Sequence, residues 1–323
     1  MKSNNLAKMI GKRVVQSCIT ILLVTLFVFA LIQMVPGDPV ANYLGATATE
    51  EQIAYYRHLY GFDRPVIVQY FSWIGGLFRG TMGQSISYQS EIADIILPRL
   101  GTTLTMVIPA FIIGTITGIL FGIIAAKNRG KTIDSVISFF ANIGVSMPMF
   151  WLGMMGMLVF ALKLRVLPSS GYVPITRDFG GWLSHMIMPI IVLSLGVNAG
   201  FVRLTRSSML ETIRQDYIRT ARAKGLKESV ITIRHALRNA MIPIVTTVGL
   251  QFGFSLGGAV LVETVFSWPG IGRLLVDSIN ERDFPMILGC VITFAFCFSI
   301  INLVVDLLYV VIDPRIRSQF NRS

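Results

Sequence analysis

Six apolar runs, at residues 14–35, 100–126, 133–162, 183–202, 243–262 and 286–312, alternate along the chain with shorter polar and mostly basic stretches. A helix needs about 20 apolar residues to cross the ~30 Å hydrocarbon core of a bilayer. Lipid offers no water to backbone N–H and C=O groups, so such spans must be helical. The pattern predicts an all-α integral membrane protein with six transmembrane helices. Pro36 and Pro39, in Val35-Pro36-Gly37-Asp38-Pro39, mark the end of the first run, while Pro109, Pro148 and Pro189 fall inside later ones. The third run is over-long for a straight span, and Pro148 predicts a kink in it. Kinked helices either line a transport pathway or simply pack against neighbours. Gly114, Gly118 and Gly122 recur at four-residue spacing, as do Gly249, Gly253 and Gly257, which predicts close helix approach.

Composition excludes other classes. With 53% hydrophobic and 14% charged residues, a water-soluble fold would expose too much apolar surface. The net charge of +11 points at first to nucleic acid, but the charges cluster between apolar runs and report topology instead. With six spans, the segments on one side hold 19 Lys/Arg and five acids, and those on the other hold 9 Lys/Arg and eleven acids. The excess of Lys/Arg places both termini and residues 203–242 in the cytoplasm. Lys2, Lys8, Lys12 and Arg13 before the first run imitate a secretory signal. That run is too long for a signal core and lacks a small-residue cleavage site, so a retained span is expected. The predicted organisation is an N-terminal segment and first helix (1–35), an extracellular insertion (36–99), a five-helix core (100–312) with a cytoplasmic loop at 203–242, and a cytoplasmic tail (313–323).

The insertion is mixed and soluble-looking, with four Arg, six acids and several aromatics. It reads as a small, partly helical extracellular cap, either structural or a docking surface for a binding protein. Residues 203–243 form the longest polar stretch, with nine Lys/Arg and three acids. Their pattern is helical up to Lys224, breaks at Gly225 and resumes at Glu228 or Ser229. Cations suit the negative end of a helix, and Gly accepts the left-handed backbone that stops one, so Gly225 is expected at positive φ.

Arg219-Thr220-Ala221, three residues, Gly225, nine residues, then His235-Ala236-Leu237 resembles the coupling-loop signature of bacterial ATP-binding-cassette importer permeases. The Ala, Gly and Leu positions match it; Arg219, Thr220, His235 and Arg238 depart from it. Arg-Thr-Ala-Arg-Ala-Lys-Gly-Leu followed by His-Ala-Leu-Arg-Asn-Ala is similar to the dipeptide/oligopeptide/nickel branch, on its B-type subunit. Further matching strings are Leu59-Tyr60-Gly61-Phe62-Asp63-Arg64-Pro65, Gly80-Thr81-Met82-Gly83-Gln84-Ser85, Leu167-Pro168-Ser169-Ser170-Gly171-Tyr172 and the external re-entrant stretch from Glu263 to Pro285. The resemblance implies a type I importer-like permease fold in the bacterial inner membrane. It implies a second homologous permease, two ATPase subunits and an extracytoplasmic substrate-binding protein as partners, besides membrane lipid. Arg219, Thr220, Ala221, Ala223, Lys224, Gly225, Leu226, His235 and Leu237 would form the ATPase-coupling loop.

No phosphate-cradling Gly-x-x-x-x-Gly-Lys-Ser/Thr string, Ser/His/Asp arrangement or zinc-protease helix occurs in the sequence, so the chain is expected to be no enzyme itself. ATP and Mg would then belong to the partner ATPases, with no cofactor on this chain. Cys18, Cys290 and Cys297 lie inside apolar runs, and His58, His185 and His235 are far apart, so neither a disulfide framework nor a metal site is expected. Pro148, Asn302 and Asp306 are candidates for the pathway. Asp306 is the one acid well inside a run; charge in a bilayer is expensive, and an ion pair or water-exposed position near Asp313-Pro314-Arg315 also accounts for it. Three functions stay open: a peptide importer permease, a same-family importer of nickel, a metal chelate or another solute, and a self-contained secondary transporter or channel. The last predicts mid-membrane charge and inverted repeats, and leaves the break at Gly225 without purpose.

Overall fold

The computed structural model describes residues 3–45 and 48–312. Thirteen helices follow one another: α1 (Ser3–Gln33), α2 (Pro39–Leu44), α3 (Glu50–Tyr60), α4 (Val66–Phe78), α5 (Ile92–Lys127), α6 (Thr132–Ser146), α7 (Met149–Gly156), α8 (Phe179–Ile213), α9 (Asp216–Ala223), α10 (Glu228–Val230), α11 (Arg238–Val265), α12 (Ile271–Glu281) and α13 (Phe284–Ile312). Two π-helical stretches extend them, Met157–Lys163 after α7 and Ile231–Leu237 before α11. Among the described residues, five helices are long and apolar enough to cross a membrane: Ile10–Gln33, Ile92–Lys127, Phe179–Ile213, Glu228–Val265 and Phe284–Leu307.

The sixth pass departs from its prediction. The third run is a pair, Thr132–Ser146 and Met149–Lys163, bent by 103° at Met147-Pro148. Proline removes a helical donor, and the residue before it is pushed to extended backbone; Met147 has ψ 131°. What the sequence offers as a kink is therefore a break.

The glycine stripes fix how the spans run. On α5, a Cβ on Gly114 would meet Ser194 O and Val197, one on Gly118 would meet Asn198 O and Phe201, and one on Gly122 would meet Val202 O and Thr205, at 2.5–3.0 Å. Only glycine lets these backbones approach so closely. The partner numbers rise together, so α5 and α8 run parallel, and the chain between them must return across the membrane. The broken pair supplies that return: Gly144 on α6 lies beside Ala199 of α8, and Gly153 on α7 lies beside Val265 and Phe266 at the far end of α11. On α11, Gly249 faces Asn302 and Gly253 faces Phe298, so α11 and α13 are antiparallel. Phe29 packs with Ile287 and Leu288, while Arg13 reaches Asp306, so α1 and α13 are antiparallel too. The described ends, Ser3 and Ile312, therefore share a face with α9.

Several boundaries move from the sequence expectation. The basic stretch, expected to be helical up to Lys224, is divided: α8 enters it and ends at Ile213, and a break at Arg214-Gln215 separates it from α9. α11 begins before Pro243, which sits inside it. At the opposite face, the 36–99 segment folds into three helices and the first two turns of α5, which starts at Ile92 rather than near 100. Asp38 caps α2 by accepting from Val40 N at 2.9 Å, and Thr49 and Gln52 form a reciprocal cap at the start of α3. The tail beyond 312, including Asp313-Pro314-Arg315, lies outside the described residues.

The Lys/Arg asymmetry predicts that the face carrying α9 is cytoplasmic. A membrane-impermeant thiol reagent should label Glu51→Cys in intact cells, in a background lacking the native cysteines, and should reach Lys224→Cys only after permeabilisation. Both side chains are exposed, so the reverse pattern would invert the topology.

Candidate functional site

The basic stretch folds as two short arms around Gly225. α9 is amphipathic: Ile218 and Ala221 are buried, while Tyr217, Arg219, Thr220, Arg222, Ala223 and Lys224 are exposed. Its inner face joins a cluster of Ala126, Met209, Ile231, Ala236 and Ala240, with Leu237 packed against it. The nine sequence-predicted positions therefore divide. Ala221 and Leu237 anchor the arms, His235 is half-buried, and Arg219, Thr220, Ala223, Lys224, Gly225 and Leu226 form an exposed rim.

Gly225 stops α9 at φ +74°. Its N–H donates to Arg222 O at 2.9 Å and the Leu226 N–H to Ala221 O at 3.4 Å, the paired bonds of a Schellman stop. A Cβ at 225 would meet no atom within 4 Å, so only backbone conformation demands glycine here. Arg222 then pairs with Glu228 across the turn, Nε to Oε1 at 2.7 Å, and holds the two arms together. Beyond it the π-helical Ile231–Leu237 brings Ile231 and Ala236, five apart, onto the same buried face as Ala240. An α-helical path would instead align Ile231 with His235. Asn239 Nδ2 donates to Tyr217 Oη at 2.8 Å and to His235 O at 3.2 Å, closing the base of the second arm onto α9.

A clamp that the sequence reading missed lies just above. Asp134, on the first turn of α6, accepts both arms of the Arg206 fork from α8, at 2.6 and 2.8 Å. Gly130 N and Ser138 Oγ also donate to it, at 3.1 and 3.3 Å. Its side chain is 7% exposed and that of Arg206 is 32% exposed. The one available signal was an acid in the first turn of an otherwise apolar helix.

The pathway candidates are not brought together by direct contact. Pro148 is exposed at the break between α6 and α7. Asn302 faces Gly249 on α11 and, with Asp306, lines a cleft of about 200 Å³ between α1 and α13. Asp306 pairs with Arg13 of α1 at 3.0 Å, which accounts for its charge.

The opposite face carries two buried acids that the sequence reading also passed over. Glu263, fully buried at the end of α11, accepts from Thr103 Oγ1 at 2.6 Å and from Arg273 N at 2.9 Å. Thr103 accepts in turn from Ile271 N, and Trp268 Nε1 donates to Thr102 O. Gly270 and Gly272 are packed so tightly on the Glu263 carboxyl that any Cβ would collide with it, which explains the Pro-Gly-Ile-Gly sequence. Asp283 accepts from Ser85 Oγ at 2.5 Å and from Ser87 N at 3.0 Å, and so fastens the 81–91 loop to the start of α13.

Residues 118–318 match the family described as binding-protein-dependent transport system inner membrane component, and residues 6–107 match the N-terminal family of binding-protein-dependent transport system membrane components. The chain is 42% identical over 322 residues to the dipeptide transport system permease protein DppB of Escherichia coli, covering 91% of this chain and 94% of that one. It is 39% identical over 306 residues to a Sinorhizobium fredii protein named "Probable peptide ABC transporter permease protein y4tP", covering 95% of this chain and 98% of that one. In fold it is similar to an inward-facing structure of the MetNI methionine ABC transporter, with TM-score 0.53 and 17% identity over 68% of this chain and 96% of that one.

Removing one partner of a buried ion pair typically costs 3–5 kcal/mol, and the partial exposure of Arg206 lowers the expectation for Asp134→Ala to about 2–3 kcal/mol. Arg206→Lys, which keeps the charge but loses the fork, should cost roughly half as much. Thermal unfolding in detergent measures both; an Asp134→Ala variant as stable as the parent would show that the clamp does not hold α6 to α8.

Proposed function

The chain belongs to the family of binding-protein-dependent transport system inner membrane components, and on that premise we propose that it is the permease subunit of an ATP-driven importer of dipeptides and oligopeptides. The family places it in the bacterial inner membrane as a multi-pass transport component. In this proposal it forms half of a translocation pathway, and a second homologous permease supplies the other half. Two ATPase subunits dock on the cytoplasmic face, and an extracytoplasmic binding protein delivers cargo. Pro148, Asn302 and Asp306 are the pathway positions proposed. ATP and Mg belong to the ATPases, because the sequence has no phosphate-binding loop. The peptide cargo rests on the names of the relatives.

The observation that carries the coupling role is the exposed face of α9, held at fixed pitch by the Gly225 stop and the Arg222–Glu228 pair. A short helix with a rigid base and an outward row of Tyr217, Arg219, Ala223 and Lys224 suits a groove on a partner, the helix-in-groove mode. Mechanically, α9 shares its buried cluster with the lower end of α8. α8 is one unbroken helix of 35 residues, about 52 Å at 1.5 Å per residue. Closure of two ATPase domains would push on α9 and tilt α8 together with α5, which is seamed to it by glycine. The break at Pro148 is the compliant joint that lets this pair move against α7 and α11. Cargo crosses when the two permeases change from closed to open on one side, a rigid-body switch of the shear or hinge kind.

Gly225→Val tests this. A β-branched residue in the left-handed region costs about 1–2 kcal/mol, enough to favour a straight helix in place of the turn. Membrane insertion and amount should stay near normal, ATPase co-purification should weaken, and ATP-dependent uptake of labelled dipeptide should be lost. Gly225→Asn should be milder, since Asn tolerates this backbone. Wild-type uptake by Gly225→Val at matched expression would remove the coupling assignment. Uptake of labelled Ni²⁺ but no peptide would correct the cargo alone.

A further inference from the structure

The 36–99 insertion reads as a water-exposed cap in the sequence, yet its longest helix is the wrong kind of surface for water. On α4, Ile67, Phe71 and Phe78 are 71%, 66% and 90% exposed. Spaced by four and seven residues, they form one stripe along the helix. Val66 and Val68 are exposed beside it. At 100° per residue, Gln69, Ser72 and Gly76 fall on the side away from that stripe, and there they line a cavity of about 380 Å³ with the 59–64 turn and the 81–84 loop. The third face is packed: Tyr70 is buried, and Trp73 and Ile74 rest on Phe29, Ile32, Ile287 and Leu288 of α1 and α13.

Those contacts set the depth of the helix. The Tyr70 ring meets Phe29 edge-on at 5.2 Å between centroids. Phe29 is four residues below Gln33, the end of the first span, or about 6 Å at 1.5 Å per residue. The Tyr70 hydroxyl goes deeper, lying 3.2 Å from Thr25 Oγ1 and donating to Leu22 O at 3.3 Å. Leu22 is eleven residues below Gln33, about 16 Å, or half of a ~30 Å hydrocarbon core. Thirteen residues are too few to span a bilayer, but they suffice to lie along its edge. α1, on which α4 rests, also presents apolar surface, with Leu26, Phe27 and Leu31 exposed. Arg64 precedes the helix and Arg79 follows it, both exposed, where the phosphates of a headgroup layer would meet them.

We propose that α4 is an interfacial helix seated in the outer leaflet, with Ile67, Phe71 and Phe78 among the acyl chains and Arg64 and Arg79 on lipid phosphates. Helices of this kind bury their apolar face about 5–10 Å into the boundary of headgroups and chains. The seat holds α1 and the start of α13 at a fixed height, and it keeps α3 and the 81–91 loop above the bilayer. The assignment of this leaflet as the outer one rests on the importer topology; contact with lipid does not.

Single cysteines at Ile67, Phe71 and Phe78, in the assembled transporter with Cys18, Cys290 and Cys297 replaced by Ala, carry a bimane label into phosphatidylethanolamine/phosphatidylglycerol vesicles. If that background assembles poorly, Cys18→Ala alone suffices, because Cys290 is buried and Cys297 half-buried. Lipid bearing a shallow doxyl group should quench the three labels about twofold, as strongly as a label at Phe27→Cys, and aqueous iodide should leave them almost unchanged. A label at Glu51→Cys on α3 should respond the other way. Quenching by iodide and not by doxyl lipid would place the stripe in water and overturn the proposal. Protection from both quenchers would mean that a protein partner covers the stripe, which also overturns it. An impermeant reagent at Glu51→Cys reads the side of the membrane separately, so an inverted topology would be seen without disturbing the lipid result.

Discussion

Everything in this fold hangs on the seam between α5 and α8. Lipid chains are as apolar as leucine, so helices in a bilayer gain little by hiding apolar side chains from one another; they associate where backbones approach closely enough for dispersion contacts to accumulate. Gly114, Gly118 and Gly122 give α5 a bare strip on which α8 lies along three turns, and Asn198 adds a hydrogen bond to Thr117 at 2.7 Å. The seam fixes the axis of α8. The axis of α8 fixes the base of α9, and the parallel sense of the pair forces the chain between them to recross.

Polar chemistry is gathered at the two ends of the bundle. Near one face, Asp134 ties α6 to α8 and Glu228 ties α10 to α9. Near the other, Glu263 pins the loop before α12 and Asp283 pins the 81–91 loop. Each of these acids receives donors from a different element of the chain; Asp134, Glu263 and Asp283 are buried, which makes the loss of any one donor costly, whereas Glu228 is exposed. The ends are thus pinned, while the middle is held by the glycine seam and side-chain packing and is interrupted by the break at Met147-Pro148. Such a distribution suits a molecule that turns as blocks rather than one that bends everywhere.

Much of this was legible in the sequence, because hydropathy and glycine spacing report local geometry. The apolar runs located five spans as continuous helices, and Gly225 marked its own left-handed stop. What stayed hidden depends on contacts distant in sequence. The Arg13–Asp306 pair joins residues from the first and last helices, and the Asp134–Arg206 fork joins residues 72 positions apart. The break at Arg214-Gln215 was missed because neither residue is a glycine or proline, so the stretch up to Lys224 keeps one helical pattern. The character of α4 was masked by its neighbours: Arg57, Asp63, Arg64 and Arg79 made the insertion soluble in aggregate, although the thirteen residues of the helix itself carry no charge.

The parallel seam also constrains how the protein is made. Gly114 leaves the ribosome about 80 residues before the Ser194 and Val197 that cover it. At bacterial rates of 5–20 residues per second, that is a wait of roughly 4–16 s. During this time α5 stands in the bilayer with its bare strip turned toward lipid or toward the insertion machinery. The broken α6–α7 pair must thread back across before α8 can arrive. A nascent helix in that state has no native neighbour to compensate for a bulky side chain or a stray charge on the strip. The same three glycines that let α8 close on α5 also leave it small and chemically inert while it stands alone.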